Sequence, residues 1–144
     1  MADTDDITGL DWPGVPATVE DFTIITPVKI EKQRVWDLLC NIMEGGSYNS
    51  FIIVEYLPEG IENHPDCTYR HIDVPFLGGS IGLIDKYGDS PIVYQLDRAA
   101  MERGLKIMAN KFPRHFADFL DQGDDVITAD VFLQCSLLGD VIYG

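Results

Sequence analysis

The stretch Asp97-Arg-Ala-Ala-Met-Glu-Arg-Gly-Leu-Lys-Ile-Met-Ala-Asn-Lys111, followed at once by Phe112-Pro113, decides the fold. Asp97 suits a helix N-cap, and Ala100, Met101, Leu105 and Met108 fall near one stripe of a helix running to about Lys111. Gly104 interrupts the stripe and marks either a weak point or a close backbone approach. Pro113 fits the first turn of a second helix, with Phe116, Phe119 and Leu120 as its apolar positions. Asp121-Gln-Gly-Asp-Asp125 breaks that helix. Thr128 is then expected to cap a third, carrying Val131, Phe132, Cys135 and Leu138 and ending at Gly139. The last third is thus a cluster of helices, and the tail Val141-Ile-Tyr-Gly144 is apolar enough to pack on the body.

Upstream the period alternates between strand and helix. Phe22-Thr-Ile-Ile-Thr26 reads as a strand bounded by Pro27, which cannot donate a ladder hydrogen bond and so suits an edge or a strand end. From about Glu31, Val35, Leu38, Leu39 and Ile42 recur at helical spacing until Gly45-Gly46. Phe51 to Leu57 reads as a strand, turned by Pro58-Glu-Gly60, and residues 59–66 as an acidic loop. Cys67 to Val74, Ser80 to Asp85 and a run from Pro91 to Leu96 are further strand candidates. The expected fold is α+β: a small, mostly antiparallel sheet with one N-terminal helix and a C-terminal helical cluster. Residues 1–21, acidic and broken by Gly9, Pro13, Gly14 and Pro16, read as a flexible arm in which Leu10 and Trp12 stand out. Residues 22–144 read as a single domain.

Length and composition agree. A chain of 144 residues, 46% hydrophobic, is one domain by the usual span of roughly 100–200 residues. No apolar run approaches the ~18 residues of a membrane span. The start Met-Ala-Asp-Thr-Asp-Asp6 lacks the basic, then apolar, pattern of a secretory signal, and three cysteines make no disulfide framework, so a cytoplasmic setting is expected. Ten basic against 24 acidic residues give a net charge of −14. Such a field repels phosphate backbones and anionic lipid, which excludes direct nucleic-acid binding and membrane association as expectations. It attracts a basic cleft on another protein, including one built to hold nucleic acid.

Catalytic and metal constellations are sparse. Cys40, Cys67 and Cys135 lack the paired spacing of a zinc site and read as buried free thiols. His64 lies in the acidic loop with Glu59, Glu62 and Asp66. A Cys67–His71 dyad is rejected, because residues i and i+4 on one strand stand over ~10 Å apart. Asp118, Asp121, Asp124, Asp125 and Asp130 cluster without the calcium-loop pattern, and a solvated helix–turn–helix corner is the simpler reading. Gly78-Gly79-Ser-Ile-Gly82 is no dinucleotide fingerprint. No enzyme activity, metal or cofactor is expected. Half of the basic residues, Arg98, Arg103, Lys106, Lys111 and Arg114, fall between 98 and 114 beside His115. They pair with the acidic segments, or else they hold a small anion such as a nucleotide phosphate, with Tyr48 or Tyr94 stacking.

Two motifs carry a resemblance. Leu38-Leu39 with Met43-Glu-Gly-Gly-Ser47 resembles the leucine-rich helix and Glu-Gly-Gly turn of a widespread group of small bacteriophage and prophage proteins. The run Phe112-Pro-Arg-His-Phe-Ala-Asp-Phe-Leu120, then Asp125-Val-Ile-Thr-Ala-Asp-Val-Phe-Leu-Gln134, ending Gly139-Asp-Val-Ile-Tyr-Gly144, is similar to that group's terminal signature. Such proteins commonly carry Tyr-Trp after the turn, where this chain has Tyr48-Asn-Ser-Phe51. The resemblance implies a phage setting and assigns no catalytic residue.

These readings rank the functions. First is an acidic phage accessory protein, a DNA mimic in charge, that inhibits a basic host defence or nucleic-acid-handling protein through Trp12 and Asp118, Asp121, Asp124, Asp125 and Asp130. Second is a small-molecule binder using Arg103, Lys106, Lys111, Arg114, His115 and Tyr48. A carboxylate-metal enzyme and a virion-associated structural protein, with homo-oligomer contacts through the tail, follow.

Overall fold

The computed structural model describes residues 20–45, 50–89, 92–123 and 125–143. Trp12, Tyr48 and Asp124 lie outside them. The described residues form five helices and a three-stranded antiparallel sheet, an α+β fold. In chain order these are α1 (Lys32–Gly45), β1 (Phe51–Leu57), α2 (Arg70–Asp73), β2 (Ser80–Asp85), β3 (Val93–Leu96), α3 (Arg98–Lys111), α4 (Pro113–Leu120) and α5 (Val126–Leu138). The sheet order is β1-β2-β3. Its register sets Ile53 against Leu83 and Leu83 against Tyr94, with an irregularity between Ile53 and Glu55.

α5 is the centre. It packs on α3, α1 and α4 and reaches β3. From Thr128 to Leu137 all but Asp130 are buried, so this helix is apolar nearly all round rather than along one stripe, the pattern of a core helix. Asp125, not Thr128, is its N-cap: the Asp125 carboxylate accepts from the Thr128 amide at 2.9 Å. The expected cap at Asp97 forms, accepting from the Ala100 amide at 2.8 Å. Gly104 marks the close approach of α3 to α5, since a Cβ there would lie 2.0 Å from Ser136 Oγ. That close packing depends on the absence of a side chain at Gly104.

The strand expected over 22–26 does not form. The segment belongs to no sheet and stands in solvent, with Phe22 91% and Ile25 97% exposed. Its β-branched composition favours a strand, but among the described residues no partner strand lies beside it, and Pro27 follows. The strand expected over Cys67–Val74 is also replaced. There Asp73 accepts from the amides of Thr68 (2.9 Å) and Tyr69 (2.7 Å) and from the Trp36 indole (2.8 Å), closing the chain into α2. A tight turn through Val74–Leu77 follows, ended by Gly78 at φ 86°. Local side-chain-to-backbone bonds outcompete the ladder. The 59–66 loop contains a short helical turn, Ile61–Asn63.

One face of the sheet packs on the helices through Phe51, Ile81, Leu83 and Leu96. By alternation the other face carries Ile52, Ile84 and Val93 in one row. Beside that row Ser80 Oγ donates to Gln95 Oε1 (2.7 Å) and Gln95 Nε2 to Glu55 Oε2 (2.7 Å). The Glu55 side chain lies across Gly82, where a Cβ would come within 2.4 Å of it.

Candidate functional site

Among the described residues, two surfaces gather charged side chains that the fold does not use. The first is the corner between α4 and α5. Phe119 roots it, fully buried, with the Arg34 guanidinium 4.9 Å over its ring and hydrogen-bonded to its carbonyl. The Asp118 carbonyl accepts from the Gly123 amide at 2.8 Å and closes the turn. Around this root Asp118, Asp121 and Asp125 are exposed, and Asp118 and Asp121 make no ion pair among the described residues. The amide bond from Thr128 holds the Asp125 carboxyl below its ordinary value, so it stays charged. Leu120, Val126 and Ile127 of the same stretch are 43%, 45% and 64% exposed. Asp130 does not join: it is half-buried, accepts from Gln134 Nε2 at 2.9 Å, and burial pushes its carboxyl up.

The basic stretch 98–115 is divided. Arg103 turns to α5 and donates to the Ser136 carbonyl at 3.1 Å. Lys111 pairs with Asp140 at 3.4 Å. His115 Nδ1 meets Thr128 Oγ1 at 2.9 Å. Arg114 is exposed. Lys106, with Arg98, lies instead on an open groove of about 570 Å³ between α1, α3 and residues 25–30. One face of α3 builds its wall, since Arg98, Met101, Glu102, Leu105, Lys106 and Ala109 recur at helical spacing. Across from it stand Lys32 and Val35 of α1. Lys32, Arg98 and Lys106 make no ion pair among the described residues. Sequence reasoning missed this groove because Lys32 is 66 positions from Arg98 and nothing local links them.

No group of three or more metal-ligating side chains converges among the described residues. His64 Nδ1 accepts from the Asp66 amide at 3.0 Å, an internal turn bond. The thiols are free; Cys135 is buried, whereas Cys40 and Cys67 are half-buried. Burial raises all three, with Cys135 pushed up to about 11, so the nucleophilic thiolate is scarce at neutral pH. No helix among the described residues is long and apolar enough to cross a membrane. Comparison with protein-family models, curated proteins and solved structures finds no match for the chain.

Proposed function

We propose that the protein is a phage accessory protein that works by binding, blocking a basic host defence or nucleic-acid-handling protein. The α4–α5 corner carries this reading: three large apolar side chains and three aspartates stand exposed within residues 118–127, where Asp125 caps α5 and Phe119 of α4 is buried. Interfaces draw most of their energy from a few desolvated anchors, while surrounding charge steers the encounter and selects the partner. Leu120, Val126 and Ile127 serve as anchors. Asp118, Asp121 and Asp125 select a basic surface, and the net charge of −14 draws it in.

The test is capture of basic nucleic-acid-handling proteins from host extract by the tagged chain, followed by assay of whatever enzyme is captured. Wild type should inhibit that enzyme, and inhibition should weaken as salt rises. Ile127→Asp, and separately Asp118→Lys with Asp121→Lys, should each relieve inhibition. Inhibition that survives both variants removes the corner from the account.

A further inference from the structure

We propose that the groove between α1, α3 and residues 25–30 binds an anionic amphiphile, a small molecule with an apolar body and a carboxylate or phosphate head. The site is independent of the corner. Its volume, about 570 Å³, suits a small ligand, for which sites run roughly 300–1,000 Å³. The surface is apolar where a ligand body would lie: Val35 and Met101 are buried, and Ile30, Phe76, Leu105 and Phe116 half-buried.

The charge argues for the head. Acidic residues outnumber basic ones 24 to 10 in this chain. Most other cations are engaged: Lys111 on Asp140, Arg103 on the Ser136 carbonyl, Arg34 on Phe119, Arg70 over the Tyr56 ring. Yet Lys32, Arg98 and Lys106, without an ion-pair partner among the described residues, line one apolar surface, and of the described residues lining it Glu102 alone is acidic. Arg98 offers the planar fork that grips a carboxylate or phosphate, and the lysines offer point charges. The negative field of the whole chain opposes a bare anion. A free phosphate therefore gains little, and burial of the apolar body must supply the affinity while the rim orients the head.

The full-length protein would be titrated by calorimetry with dodecanoate and with dodecyl phosphate below their micelle concentrations. Dodecyltrimethylammonium and inorganic phosphate serve as the opposite-charge and head-only arms. At least one anionic amphiphile should bind saturably, one to one, and inorganic phosphate should not; the tighter of the two identifies the head. Arg98→Gln with Lys106→Gln should weaken binding about tenfold or more. A methyl NMR spectrum of the unaltered protein gives a second readout, in which the Met101 signal should move and Met43 should not. Equal affinity for the cationic amphiphile, unchanged affinity in the double variant, a still Met101 signal, or no binding in any arm overturns the proposal. So does binding that appears only when Asp3, Asp5, Asp6 and Asp11 are changed to Asn, since the occupant would then be the chain's own acidic segment. Uptake that occurs only with dissociation of a dimer in sedimentation points to a second copy and overturns it as well.

Discussion

The two ends of α5 use their polar residues in opposite ways. At the C-terminal end the polar side chains of Gln134, Tyr143, Arg103 and Lys111 are all engaged. Gln134, fully buried, accepts on Oε1 from the amides of Ile142 and Tyr143, both at 2.8 Å, and donates from Nε2 to the Tyr143 carbonyl and to Asp130. Tyr143 reaches on to Asp85 at 2.6 Å, and that bond drives its hydroxyl up to about 12. Arg103 and Lys111 close the same end. At the N-terminal end, Asp118 and Asp121 and three apolar side chains are left over. The C-terminal run from Gln134 to Tyr143 therefore docks the tail to the core. The spare chemistry lies where α4 meets α5.

The contrast can be broken hardest at Gln134. Gln134→Leu leaves two buried-end amides and a carbonyl without their partner, and should cost about 3–5 kcal/mol in denaturant unfolding. Gly104→Ala should cost about 2–3 kcal/mol, because its Cβ collides with Ser136 and the α3–α5 crossing must open. Asp73→Ala, which frees two amides and the Trp36 indole, should cost about 2 kcal/mol. Desolvation alone would raise the Asp73 carboxyl, yet its three hydrogen bonds outweigh that and hold it below its ordinary 3.8. Its folded value being depressed, its stabilisation is full above that pH and lost as pH falls below it. Acid titration of the midpoint should thus be shallower in Asp73→Asn than in wild type. The smallest effect belongs to the other end of α5: Asp118→Asn with Asp121→Asn should shift stability by no more than about 0.5 kcal/mol. A large loss there would show those carboxylates to be structural.

What was legible in the sequence followed the reach of each signal. Asp97, Pro113 and Gly139 punctuate α3, α4 and α5 with local stereochemistry, and the structure keeps all three. Strands β1 to β3 were readable from short β-branched runs between turns. The same composition misled at Phe22–Thr26, because strand propensity promises a partner that only the tertiary fold can supply. At Cys67–Val74 the deciding bonds run from Asp73 back to Thr68 and Tyr69 and across to Trp36, the last a pairing over 37 positions. The corner could be read from its run of aspartates, though not that Asp125 is a cap and Asp130 an interior partner. The groove could not be read, since α1 and α3 each bring only part of its charge.

Glu55 has a consequence for handling the protein. The Ile52–Ile84–Val93 row, with Ile52 and Val93 exposed, is the kind of apolar strand surface on which neighbouring molecules associate into precipitate. A single carboxylate tethered through Gln95 lies beside it, over the one residue without a side chain. Shelf life in concentrated stocks would then be governed by this guard on the open face.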